Sequence, residues 1–171
     1  MANIDNPHGF PVVGSLDGRP CYTRNYNKAV GDGDPIGFND LVDAVAAGTD
    51  VERIGAGGPF LGVSLAHGAA STATVHPIAI FTASTICEAQ TDLSLVTADT
   101  GLNANVMTDV APNTTTGISN QEINSASEDT TNTLDFNLLR LAPYVDNASG
   151  TNSRWFCVPN DIRRSDLKAG I

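Results

Sequence analysis

Residues 133–160, "TLDFNLLRLAPYVDNASGTNSRWFCVPN", restrict the fold more than any other part of the chain. Leu134, Phe136 and Leu138 share one side of a period-two pattern, with Asp135 and Asn137 opposite. At Leu138–Leu139 the phase slips, and Leu139 and Leu141 take the other side. A strand that changes phase in this way needs a β-bulge, or it passes from one packing surface to another. "DNASGTN" is a hairpin turn, and "SRWFCVPN" returns as a second strand with Trp155 and Cys157 on one face, Phe156 and Val158 on the other. Apolar residues on both faces mark a strand buried on both sides, in a core or at a subunit contact.

The rest of the composition agrees with strands. Charged residues make up only 16% of the 171, and the polarity comes instead from Thr, Asn, Ser and Gly, which suits short strands joined by turns. The length fits one domain with a feasible core. The fold class expected is mainly β: a single compact β-barrel or β-sandwich-like domain with extended N- and C-terminal arms. Residues 1–20 are the N-terminal arm, 21–160 the β-rich domain and 161–171 the C-terminal tail. The opening "MANIDNPHGFPVVGSLDGRP" has neither helical period nor clean alternation, and glycine and proline joint it throughout. Carrying Phe10, Val12 and Val13, it must fray in solvent or lie on something.

Between the arms, "CYTRNYNKA", "VERIGAG", "PFLGVSLAHG", "STATVHPIAIFT" and "STICEAQTD" read as strands. Pro77 demotes Val75–Thr82 to an edge or a bulge. "FNDLVDAVAAG" stays open between helix and strand across 38–50, because Phe38, Leu41, Val42 and Val45 also fit one helical face. "SLVTADTGLNANVMTD" reads as a helical turn or loop ending near Gly101, and "APNTTTGISNQEINSASEDTTN" as a long polar connector.

Charge and motifs exclude more than they identify. The net charge is −10, and the basic residues cluster at the two ends, with only Arg53 and Arg140 between Val30 and Ser153. No nucleic-acid partner is expected without a basic patch interleaved with aromatics. No membrane is expected either, since no run reaches the ~18 apolar residues of a spanning helix. Cys21, Cys87 and Cys157 match neither a disulfide framework nor a zinc pattern, so they read as free thiols of a protein made in a reducing cytoplasm. His8, His67 and His76 lack ligand spacing, "GDGDP" stops short of a calcium loop, and "GAGGPF" lacks the rest of a dinucleotide loop. There is no nucleophile elbow and no phosphate loop. No catalytic, metal or cofactor residue is assigned, and the chain is expected not to be an enzyme.

Seven segments in order, "NPHGFPVVGSLDG", "GDPIGF", "FLGVSLAHG", "CEAQTD", "GLNANV", "TTTGIS" and the strand pair of residues 133–160, resemble a family of small tailed-phage virion proteins, the capsid decoration or cement proteins. The resemblance covers about residues 3–160. It implies a β-rich domain on the outer surface of an assembled icosahedral shell, made in a bacterial cytoplasm, with the major capsid protein and further copies of itself as partners. A homotrimer at three-fold and quasi-three-fold positions is the arrangement it implies. On this reading the N-terminal arm lies on the shell or on a neighbouring copy, anchored by Phe10, Val12 and Val13. Trp155 and Phe156 contribute to a subunit or core contact, and Arg163 and Arg164 pair with acidic groups. The alternative is a carbohydrate-binding surface module of a virion, for which Tyr22, Tyr26, Tyr144 and Trp155 are the aromatics that could serve.

Overall fold

The computed structural model describes residues 3–28, 33–45, 50–72, 74–107 and 110–163. It is nearly all β, with one short 3-10 turn at Thr97–Asp99. Five strands, β2 (Tyr22–Lys28), β3 (Leu41–Ala44), β4 (Asp50–Arg53), β5 (Gly62–Ser64) and β6 (Val75–Ile80), close a barrel in the order β2-β4-β3-β5-β6. Only the β2–β4 pair is parallel. A six-stranded antiparallel sheet is built from β1 (Val12–Ser15), β7 (Thr85–Gln90), β9 (Asn103–Val106), β10 (Ile123–Asp129), β11 (Phe136–Leu141) and β13 (Arg154–Pro159), in the order β1-β7-β13-β11-β9-β10. The two-residue strands β8 (Ser94–Leu95) and β12 (Gly150–Thr151) pair with each other.

Two apolar clusters explain the alternation. Tyr26, Ile36, Val42, Val51, Leu61, Ile78 and Ile80 form one. Leu41, Val63 and Ala79, their neighbours on the same strands, belong to the other, together with Cys87, Phe136, Leu138, Trp155 and Cys157 of the sheet. Strands β3, β5 and β6 therefore bury both faces, and their sequences are correspondingly near-continuous apolar runs. The open region at 38–50 resolves into β3, where Leu41, Val42 and Asp43 are all buried; residues 46–49 lie outside the described residues. Asn39 has φ 70°, a left-handed conformation that interrupts a right-handed helix at that point.

Three expectations are corrected. Pro77 lies in β6, a barrel strand paired on both sides, not an edge. Its carbonyl accepts from Leu65 N–H at 2.8 Å, so its nitrogen also faces the side where β5 has just ended, and no ladder bond is lost. The polar connector contains β10, and the turn region before it contains β9. Finally, the N-terminal segment is extended but lies on its own domain: Phe10 is fully buried, its ring stacked on Phe136 at 4.8 Å, and Val12–Ser15 forms a sheet strand against β7. Gly9 makes this possible. Its φ is 74°, and a Cβ there would sit 2.3 Å from Asn39 O, the carbonyl that accepts from Phe10 N–H. At the other end Ile162 bridges to Phe60 and Arg163 N–H donates to Phe60 O, which ties the start of the C-terminal tail to the barrel.

Gly62 marks the tightest point of the barrel wall. A Cβ there would stand 2.1 Å from Ala79 O and 2.9 Å from Ala79 C, both backbone atoms of the adjacent strand. Gly62→Ala is expected to destabilise the fold by about 1–3 kcal/mol, because strand backbones must separate to admit it. Urea denaturation checks this, and an unchanged midpoint would show that the wall yields freely.

Candidate functional site

The groups with chemical potential are mostly sealed. His76 is fully buried, with Nδ1 3.1 Å from Ser64 Oγ and Nε2 2.8 Å from Thr74 Oγ1. The Ser64–His76 pair has the elements of a nucleophile and its base, but both residues are closed to solvent and both ring nitrogens are occupied. Burial lowers the His76 pKa, which keeps the ring neutral. Cys87 and Cys157 are opposite each other on β7 and β13, free and fully buried, and burial pushes both thiols up, away from the reactive thiolate. Asp135 is structural: its carboxylate accepts from Val106 N–H at 2.8 Å and Gly57 N–H at 3.1 Å. No group of three or more metal-ligating side chains occurs among the described residues.

An accessible polar site lies where the N-terminal segment crosses the β11–β13 hairpin, a cleft of about 180 Å³. Its wall is stitched by carboxamides. Asn3 donates to Ala148 O and Thr151 O at 2.7 and 2.8 Å, and its Oδ1 accepts from Ala148 N–H. Gln90 Oε1 accepts from Asn6 N–H, and its Nε2 donates to Ile4 O and Asn152 O at 2.7 and 2.9 Å. Below, His8 Nε2 is 3.3 Å from Glu88, which also accepts from Tyr144 Oη at 2.5 Å. The Glu88 hydrogen bond holds the His8 pKa above its ordinary value. Burial works to raise Glu88, but the bonds from His8 and Tyr144 outweigh it and leave that carboxyl below the usual range. Arg154 closes the cleft, with its guanidinium 4.5 Å over the Tyr144 ring and 2.5 Å from Asp146. Tyr144 meets Phe156 edge-on at 6.3 Å, and Phe156 lies 5.2 Å under Arg140.

The residues expected to make contacts scatter. Phe10 and Trp155 are fully buried in the chain's own core, Trp155 Nε1 donating to Ser153 Oγ at 2.9 Å, so neither has surface to offer a capsid or a sister subunit. For Phe10 this corrects the assignment as a contact, whereas Trp155 takes the core side of its subunit-or-core reading. Val12 packs half-buried against the same core. Phe156 is half-buried beside the cleft. Arg163 forms a two-pronged pair with Asp43 of the barrel, and Arg164 lies outside the described residues. Val13 remains, 44% exposed at a bulge in β1, an edge strand of the six-stranded sheet. Leu16, just after β1, and Tyr22, at the start of β2, are exposed at 61% and 66%, and Gly14, Ser15 and Tyr22 line one groove of about 220 Å³. Of the other candidate aromatics, Tyr26 is buried and Tyr144 partly exposed. The sequence reading missed His8, Glu88, Asn152 and Arg154, because no spacing links positions so far apart.

Set against protein-family models, curated proteins and solved structures, the chain has no match in any of the three.

Proposed function

We propose that this protein is a capsid decoration protein of a tailed phage, attaching through the β1 edge of its sheet to the outer surface of an assembled shell. The observation that carries the reading is that edge: Val13 and Leu16 are large apolar residues left in solvent along it, and the exposed Tyr22 of β2 lines the same groove as Gly14 and Ser15. An edge strand presents unpaired backbone groups that a partner strand can complete, with a few apolar anchors fixing the register. The resemblance of the ordered segments to decoration proteins supports the same reading, and so does the closure of the Ser64–His76 pair, which favours a structural role over an enzymatic one. The partner is the major capsid protein, and the proposed form is a homotrimer at three-fold and quasi-three-fold positions, where three edges act together and multiply a weak contact. A protein that binds only the assembled shell stabilises it by mass action.

Co-sedimentation with immature and expanded shells tests the reading. Saturable binding to expanded shells is expected, and the double variant Val13→Asp, Leu16→Asp is expected to bind at least about tenfold more weakly with an unchanged melting temperature, since a buried charge opposes docking. Full decoration by the variant would reject the β1 edge. Absence of wild-type binding to either shell would reject the function.

A further inference from the structure

We propose that the cleft between the N-terminal segment and the β11–β13 hairpin is a binding site for a single neutral sugar ring, a hexopyranose. Three properties of the cleft select that chemistry.

The first is unspent hydrogen-bonding capacity on a rigid frame. Asn3 and Gln90 have committed their carboxamides to holding the walls together. By contrast, the side chains of Asn6 and Asn152 make no hydrogen bond among the described residues, although both line the cleft. Arg154 gives one nitrogen to Asp146 and its face to Tyr144, which fixes the guanidinium while its remaining N–H groups stay available. Asn152 holds φ 55°, and in that conformation it gives its carbonyl to Gln90 while the residue lines the cleft. Planar amide and guanidinium groups present donors and acceptors side by side, as adjacent ring hydroxyls do.

The second is charge. Arg154 is matched by Asp146, and His8 by Glu88, so each cation at the cleft already has its anion. An anionic ligand would have to displace a carboxylate, and a cationic one a guanidinium or imidazolium. A neutral polyol has neither cost. The third is size and edge. About 180 Å³ lies below the ~300–1,000 Å³ of sites for larger ligands, which fits one ring and not a chain. Ile4, 80% exposed, stands on the rim and offers an apolar surface to the C–H face of a ring. With one aliphatic contact and few hydrogen bonds, the expected dissociation constant is about 1 mM.

Titrating the full-length protein with methyl glucoside, methyl galactoside, methyl mannoside and N-acetylglucosamine, read by amide chemical shifts, tests the site. At least one of these glycosides is expected to give saturable shifts of the Asn6 and Asn152 side-chain amides. Asn152→Gly is the decisive variant, since glycine is at ease at a positive φ and leaves the fold intact. It is expected to keep the wild-type melting temperature and weaken binding about tenfold, the loss of a hydrogen-bonding group. Absence of saturable shifts with all four glycosides overturns the proposal. So does undiminished binding by Asn152→Gly, or saturation of the same amides by sodium sulfate in preference to every glycoside. Shell attachment is read separately: Asn152→Gly is expected to decorate shells like the wild type, so the cleft and the β1 edge stand or fall independently.

Discussion

Phe10→Ala is expected to destabilise the protein by about 3–5 kcal/mol, the loss that follows truncation of a fully buried aromatic. Phe10 touches Phe136 at 4.8 Å, in a group of rings that also brings Phe60 and Phe81 within 5.3 and 6.3 Å of Phe136. The void would open where the sheet meets the barrel, with rings from both sides unable to collapse together. For a chain of this length the melting temperature should fall by roughly 6–20 °C. Deleting residues 1–14 goes further, since it also removes most of β1 and the Asn3 and Asn6 stitches. Against a usual total of about 5–15 kcal/mol, that loss is expected to leave no native domain. Circular dichroism and urea denaturation decide it. A truncated protein with the wild-type transition would return the segment to the role of a free arm.

Stability is expected to peak on the acid side of neutrality. Burial, and then the nearby charges of Asp5 and Asp92, push the Glu122 carboxyl up to about 7 despite the opposing pull of His8, and its Oε1 lacks a hydrogen-bond partner. A carboxyl whose folded pKa is raised contributes stability that is fully present below its unfolded value, about 4.3, and is lost as the pH rises through 7. Because Glu122 is only partly buried, solvent screening reduces the loss to about 1–2 kcal/mol. His8, raised by its bond to Glu88, acts in the same direction, losing its contribution above its ordinary range near 6.5. Glu88, lowered, sets the other limit: its contribution is lost as the pH falls below the ordinary carboxylate range. The optimum then lies at about pH 4.5–5. Glu122→Gln is expected to remove most of the decline between pH 5 and 8 in a melting-temperature series. A stability that rises across that interval, or an undiminished decline in the variant, would contradict the assignment.

The sequence was most informative where pattern and burial coincide. The phase slip at Leu138–Leu139 is the register shift between Leu138 and Arg140, where Leu138 opposes Cys157 and Arg140 opposes Phe156. Trp155 and Cys157 share the buried face as their alternation required. Strands β9 and β10 were invisible because polar residues take inward positions. Asn103 and Ser125 are buried, and Ser125 is satisfied by Asp92 and by Leu93 N–H, so hydrogen bonds do what apolar alternation would have announced. Phe10 was misassigned because one aromatic in a Gly/Pro-rich stretch has no period from which burial could be inferred. The cleft is less legible still, since Asn6 and Asn152 meet only after the whole sheet has formed.

The stitch between Asn3 and the turn at Ala148–Thr151 also bears on how the protein is made. About 145 residues separate the two ends of those bonds. At a synthesis rate of about 5–20 residues per second, the segment holding Asn3 and Phe10 leaves the ribosome roughly 7–30 s before its partners exist. For most of that interval Phe10 and Val12 lack the Phe136, Leu138 and Trp155 part of their core. The barrel strands, Tyr22 to Ile80, have all emerged by the halfway point and can close first, leaving the early segment to dock last. A cell making many copies at once would thus hold a standing pool of chains with bare apolar ends, the form on which holdase chaperones act.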